Sequence, residues 1–431
     1  MTASSSPAFL APRPTLLPLD DALAQLLSFA TPEIGVAAAY ELVDTFEADG
    51  RVLAQDLHSP LHIPPQDNSS MDGYAVRCSD VQNPAAQLSV SQRIAAGSEG
   101  SPLQPGTVAR IFTGAPIPAG ADAVVMQEDC ELLAELPAQS VDSALPRIRI
   151  AQTPQPGQWI RRAGEDVSRG AVVLRRGARL SPASLGLAAG IGQAQLPLVR
   201  RPRVAIFSTG DELVMPGSVA PAQMKPGTIY NSNRFFLRAL LKRLGCAVTD
   251  RGIVPDQREA TIDALREASA AHDVILTSGG VSVGEEDHIK PAVQALGSLH
   301  VWQLAMKPGK PFAYGKIGAA HFLGLPGNPV SSLVTFVLLV RPFLLALQGA
   351  SQVHEPSVLL PAHFSWPRAD KRREFLRVRR NAAGGLDLFP NQSSGVLTST
   401  VWGDGLVDNP AGQTIGHGDA VRFISFAQLF N

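Results

Sequence analysis

Seven lysines stand against thirty arginines in this chain, and none occurs before Lys225. Two of the seven, Lys307 and Lys310, fall inside the four-residue stretch KPGK. A chain that carries most of its positive charge on arginine has thus set two compact ammonium groups together, each a point charge toward an oxyanion. The plain reading of the same residues is a Pro-Gly turn with solvated lysines.

The stretch SGGVSVGEED (278–287) adds a second anion-directed feature, with Gly279, Gly280 and Ser282 directly after an apolar run. Small residues let backbone N–H groups come close to phosphate oxygens, and a nest of such groups binds anions. It matches neither the Walker loop nor the dinucleotide fingerprint. Asp287 is a hard oxygen ligand of the kind Mg²⁺ takes beside substrate phosphates, or else the cap of the next helix. Asp256 has the same two readings, because Glu259 three residues later makes a capping box. Asp211 and Glu212 in STGDEL end another strand, either reaching a ligand or lying in a solvated turn. LPGNPVSS (325–332) opens a helix whose free amides favour an anion, with Asn328, Ser331 and Ser332 as caps or ligand contacts.

Four more segments carry polar clusters. DNSSMDGYAVR (67–77) holds Asp72, FTGAPIPAGADAVV (112–125) holds Thr113, and RRAGEDVSRG (161–170) holds Asp166; by default these are turns and solvated loops. In RADKRREFLRVRR (368–380), Arg377 and Arg379 alternate with Leu376 and Val378, so a strand presents both arginines on one face. That face is either solvated or closes an anion pocket beside Ser394 of NQSSG.

These residues need elements to hold them. Residues 1–15 read as a loose Ser/Ala/Pro tail, and Pro18–Ala54 as helical, with Asp20 as cap and Leu23, Leu26 and Leu27 apolar. Prolines and glycines then punctuate short Val/Ile/Ala runs over 59–150, a small β-rich unit with a surface excursion at 129–147. From Pro202 the pattern turns to alternating strands and helices: RVAIF, a helix from about Arg234 stopped by Gly245, CAVTDRGIV, a helix near Asp256, DVILT, a helix after Lys290, HFLGL, and a helix over 330–348. That alternation implies a mostly parallel sheet, whose ligands bind at the carboxyl ends of the strands. STGDEL, SGGVSVG and LPGNPVS all fall there. Residues 352–431 read as a second small β domain.

Composition narrows the class. With 37 basic and 38 acidic residues there is no global charge case for nucleic acid, and 45% hydrophobic content supports packed cores. Cys78, Cys130 and Cys246 lie far apart, which argues against a disulfide framework or a zinc site. The longest largely apolar run, Leu333 to Val340, is about eight residues against the ~20 that span a bilayer. A soluble, cytoplasmic protein is expected, with neither membrane nor nucleic acid as partner.

Taken in order, DNSSMDGYA, TGAPIPAGADAVV, RRAGED, STGDEL, SGGVSVGEED, KPGKP and LPGNPVS resemble the motifs of molybdopterin molybdenumtransferases, enzymes similar to the E domain of gephyrin. The resemblance runs from about residue 16 to 431. It implies a multidomain α/β plus β fold: an elongated discontinuous domain (16–58 and 153–194), an inserted β-rich domain (59–152), a molybdopterin-binding-like α/β domain (195–349) and a C-terminal small β-barrel (350–431). It implies insertion of molybdenum from molybdate into adenylyl-molybdopterin, with release of AMP and dependence on Mg²⁺. Ser282, Asp256 and Asp287 would then sit at the pyrophosphate and magnesium, with Gly279 and Gly280 at the substrate. Lys307, Lys310, Arg377 and Ser394 would receive molybdate, and Ser331 would help hold the pterin. The family is homodimeric with shared active sites, so Asp72 and Thr113 would reach the cleft from the partner subunit. Asp166 and Glu212 also match family site positions. A molybdopterin adenylyltransferase and apo-molybdoenzymes are the implied protein partners. Two other readings stand beside this one: the adenylyltransferase activity itself, and a non-catalytic, gephyrin-like scaffold. His288 stands where many relatives have tyrosine.

Overall fold

The computed structural model describes residues 16–30, 40–133, 146–255, 257–281, 288–354 and 356–430. The chain divides into two compact units. One comprises Met1–Gln55, Arg176–Leu185 and Gln195–Asn431; the other comprises Asp56–Arg175 and Gly186–Ala194.

The larger unit is built on a six-stranded sheet in the order Ala247–Val254, Arg203–Thr209, Val274–Ser278, Ala320–Leu325, Pro311–Ile317, Gly297–Gln303. The first four strands run parallel, and Pro311–Ile317 is antiparallel to both of its neighbours, Ala320–Leu325 and Gly297–Gln303. Helices between the parallel strands cover both faces, which is why Val204–Thr209 and Val274–Ser278 are buried throughout and begin as apolar runs. Helix Asn233–Arg243 lies in the chain between the strands Arg203–Thr209 and Ala247–Val254 and stops where expected, with Gly245 at φ +77°. Helix Arg258–Ala271 has Gln257 at its N-cap position, and helix Ile289–Leu296 has His288 there.

Two expectations need correction. Among the described residues, the α-helix expected over Pro18–Ala54 is confined to Leu19–Ala30, which buries Leu19, Ala22, Leu26 and Ala30 as one stripe. Asp20 lies inside that helix and pairs with Arg373 at 2.8 Å. Tyr40–Asp44 is instead a strand, antiparallel to Gln195–Val199. Its partner lies some 150 residues away, so no local period announces it. The antiparallel strand Pro311–Ile317 and the edge strand Gly297–Gln303 also depart from the strand–helix alternation. Gly297–Gln303 (GSLHVWQ) is only partly buried and lacks a clean alternation, so its strand state comes from pairing with Pro311–Ile317.

Helix Pro329–Leu347 is apolar and long enough to cross a bilayer, but 83% of its most apolar stretch is buried inside this unit. It includes a π segment at Phe336–Val340 and packs as a core helix through Val334, Phe336, Val337 and Phe343. A second sheet, in the order Met306–Lys307, Arg373–Arg380, Gly405–Asn409, Ala420–Ser425, Val358–Pro361, carries Leu386–Leu388 against Arg373–Arg380. It forms the C-terminal β domain around Leu376, Val378, Val407 and Phe423.

The smaller unit holds a third six-stranded sheet, in the order Ala123–Met126, Gly73–Val76, Thr107–Ile111, Ala86–Ile94, Arg147–Ile150, Cys130–Leu133. Both of its faces are packed: Val76, Val108, Val125 and Ile148 on one, Ala75, Ala109, Ile111 and Val124 on the other. Of the surface excursion at 129–147, residues 134–145 lie outside the described residues.

Candidate functional site

The carboxyl edge of the parallel strands opens into a cleft of about 1080 Å³. Thr209, Gly210 and Glu212 line it at the end of Arg203–Thr209, Ser278 to Val281 at the end of Val274–Ser278, and Pro326 to Pro329 with Ser331 after Ala320–Leu325. The KPGK loop (Lys307–Lys310) and the C-terminal residues Arg372 and Gln392–Gly395 complete the wall. Glu212, Gly279, Gly280, Lys307, Lys310, Ser331 and Ser394, scattered over 183 positions of sequence (from 212 to 394), are therefore brought together. Asp256, Ser282 and Asp287 lie outside the described residues.

The loops are locked by specific contacts. Gly279 adopts φ +96°, and a Cβ there would stand 2.9 Å from the Thr209 carbonyl, so only glycine lets the two strand ends approach so closely. Its amide donates to the Leu325 carbonyl at 3.0 Å. Asn233 ties three loops together: its Nδ2 donates to Ser278 Oγ (2.8 Å) and to the Gly327 carbonyl (2.7 Å). Ser331 is buried in the first helical turn, and Asn328, at the N-cap position, makes no side-chain cap bond. The Val330 amide of that turn donates instead to the Ser394 carbonyl at 2.9 Å, joining the NQSSG loop to the helix start.

The two lysines differ. Met306–Lys307 pairs with the strand Arg373–Arg380 so that Lys307 lies opposite Glu374. Lys307 Nζ contacts Glu374 Oε1 at 3.1 Å and Asp370 Oδ2 at 3.5 Å. The Glu374 side chain is 2% exposed and accepts from Trp366 Nε1 at 2.7 Å. Side-chain hydrogen bonds from Arg372 hold the Asp370 carboxyl well below the usual carboxylate range. Lys310 carries no ion pair among the described residues. Gly309 between them, at φ +106°, packs where any Cβ would strike Thr335 Oγ1.

Arg377 is not in the cleft. It and Arg379 do not share a solvated face: Arg377 is 1% exposed and Arg379 is on the surface, because the strand turns its Arg377 side beneath the Ser393 loop. Its guanidinium donates to Ser399 Oγ and to the carbonyls of Phe375 and Ser393, and burial pulls its pKa down to about 10.

In the smaller unit, Asp72 Oδ1 accepts both the amide and the hydroxyl of Thr113 at 2.8 Å, and these bonds lower its pKa. Asp166 is exposed on the loop after Ile160–Arg161. The sequence reading missed Asn231 and Asn233, whose signal was the polar triplet NSN before an amphipathic helix, and Arg372, hidden in a run of basic residues.

Three family models cover the chain in order: the MoeA N-terminal region (domain I and II) at 17–192, a probable molybdopterin binding domain at 205–346, and the MoeA C-terminal region (domain IV) at 360–426. The chain is 43% identical over 351 residues to a molybdopterin molybdenumtransferase of Haemophilus influenzae, covering 81% of each protein. The chain belongs to the molybdopterin molybdenumtransferase family. A Nostoc family member is 36% identical over 405 residues, covering 91% of this chain and 89% of that one. The crystal structure of a molybdopterin biosynthesis moeA protein from Pyrococcus horikoshii superposes with a TM-score of 0.79 at 28% identity, covering 96% of this chain and 100% of the other. Family membership agrees with the motif order and with the α/β-plus-β architecture, and the molybdopterin-binding family model falls on the sheet whose strand ends form the cleft.

Proposed function

We propose that the protein inserts molybdenum from molybdate into adenylyl-molybdopterin and releases AMP. The observation that supports this most is the cleft itself, where the strand-end glycine loop and the KPGK ammonium groups converge in one molybdopterin-family α/β unit. Gly279 and Gly280 admit the pyrophosphate to backbone N–H groups, Ser331 helps hold the pterin, and Lys307, Lys310 and Ser394 receive molybdate. Mg²⁺ takes one or two carboxylates with substrate phosphates. Glu212 offers one at the cleft, so a phosphate-bound Mg²⁺ fits the residues present, and it would neutralise pyrophosphate charge there. Asp256 and Asp287 are the further ligands in this reading.

The protein acts as a cytoplasmic homodimer in this proposal, with Asp72 and Thr113 supplied across the subunits and Asp166 at the same site. A molybdopterin adenylyltransferase delivers the substrate, and apo-molybdoenzymes take the product. Purified protein is mixed with adenylyl-molybdopterin, molybdate and Mg²⁺. AMP release that requires molybdate is the expected result; ATP consumption with molybdopterin indicates the adenylyltransferase reaction, and neither activity indicates a scaffold.

A further inference from the structure

The Asp72 carboxylate is committed through one oxygen only. Oδ1 accepts the Thr113 amide and hydroxyl, both at 2.8 Å, whereas Oδ2 has no hydrogen-bond partner among the described residues. The backbone that carries this side chain is fixed from three directions. The Gln127 amide donates to the Asp72 carbonyl at 3.1 Å. Gly73 lies so close to the neighbouring strand that a Cβ there would stand 1.9 Å from the Val125 carbonyl oxygen. Arg110, opposite Tyr74 in the sheet register, closes the clasp. Its Nη1 donates to the Gly73 carbonyl at 3.3 Å and its Nη2 to Gln127 Oε1 at 2.5 Å. The guanidinium has little freedom of its own, because it lies 5.1 Å from the centre of the Tyr74 ring and 4.9 Å from that of Phe112.

We infer that Arg110 is the positioning residue of Asp72, with Gln127 as its anchor, and that the clasp fixes the direction of the free Oδ2. The inference rests on the reading above in which Asp72 serves the molybdate reaction. Thr113 fixes one oxygen and the clasp fixes the main chain from which the side chain starts, so covalent geometry then places the second oxygen. Both acceptors of Arg110 are neutral, so its charge is left to act on Asp72, whose carboxyl it helps keep ionised. Arg93 provides an internal comparison. It stacks on the far member of the same layer, 4.5 Å from the centre of the Phe112 ring, and makes no hydrogen bond to Gly73 or Gln127.

The test compares full-length Arg110→Met with Arg93→Met, each assayed per native protein with the native fraction taken from urea unfolding. Arg110→Met is expected to lower kcat of molybdate-dependent AMP release about 10- to 100-fold, with KM for molybdate changed by less than about threefold, because misplaced groups lose rate rather than ground-state binding. Arg110→Lys should recover only part of kcat, since an ammonium cannot copy the planar fork between the Gly73 carbonyl and Gln127. Arg93→Met should stay within about twofold of wild type. Deuterium exchange on the same proteins should be faster at the Thr113 amide in Arg110→Met, with protection kept along the strand Thr107–Ile111. Wild-type kcat in Arg110→Met overturns the inference, as does a raised KM at unchanged kcat. Loss of protection along the whole strand overturns it as well, because Arg110 would then only hold the sheet together. A wild type that releases no AMP with molybdate, or an Asp72→Ala variant that keeps full activity, overturns the functional reading and this inference with it.

Discussion

Asn233 and Ser278 meet side chain to side chain at 2.8 Å, joining the start of one helix to the glycine loop that ends a neighbouring strand. The second hydrogen on Asn233 Nδ2 goes to the Gly327 carbonyl, so one amide sets the spacing of the strand-end loops. Asn233→Ala leaves a buried hydroxyl and a carbonyl without their donor, at a cost of about 1–3 kcal/mol. Urea denaturation should show this loss, and molybdate-dependent AMP release should fall with it. Asn233→Asp should be no better, since it sets a carboxylate oxygen against the Gly327 carbonyl.

Lys307 and Glu374 form an unequal pair, because the Lys307 side chain is 41% exposed and that of Glu374 is 2% exposed. Removing the lysine strands a buried carboxylate, whereas removing the acid leaves an ammonium that can turn to water and still meet Asp370. Lys307→Met is therefore expected to cost about 2–4 kcal/mol and Glu374→Gln about half as much or less. Equal shifts of the urea midpoint in the two variants would contradict this asymmetry.

Gly279→Ala puts a Cβ against the Thr209 carbonyl at a positive φ. Backbone strain and the contact together should cost about 2 kcal/mol or more, and the loop should lose its approach to phosphate. Stability and AMP release measured on the same preparation should fall together. An alanine variant with wild-type values for both would remove Gly279 from the site.

His321 is buried, with Nδ1 2.9 Å from the Tyr314 hydroxyl, and burial together with the Lys316 charge lowers its pKa to about 4. The unfolded chain protonates this histidine near pH 6.5 and the native state does not. The unfolded state then binds more protons, so stability is lost as pH falls from about 6.5 toward 4, by about 2–3 kcal/mol in all. Above pH 7 His321 contributes no slope. Denaturation of wild type and His321→Gln at pH 7 and pH 5 isolates this residue, and the variant should show the shallower pH dependence.

The proposed dimer makes its own demand. If Asp72 serves the cleft of the other chain, mixing inactive Asp72→Ala with inactive Lys310→Ala subunits restores part of the activity, because one of the two clefts in a heterodimer receives both wild-type residues. Subunit exchange is verified with differently tagged chains. Exchange without rescue would assign Asp72 to its own subunit.

Motif order and strand–helix alternation were legible in the sequence because both are local. Buried parallel strands read as short apolar runs, and the loops at their carboxyl ends carry the small and polar residues that a ligand edge needs. STGDEL, SGGVSVG, KPGK and LPGNPVS were therefore recognisable, and so was their shared edge. Other features depend on partners far apart in the chain. Tyr40–Asp44 is a strand only because Gln195–Val199 pairs with it, and a run of basic residues cannot reveal which arginine is buried. The alternation in REFLRVRR gave Arg377 and Arg379 one face, yet packing of the Ser393 loop sealed Arg377, and the cleft fell to Arg372. Tertiary packing decided these points, because burial depends on what comes to lie over a residue, and that cover is supplied by segments its own neighbours do not encode.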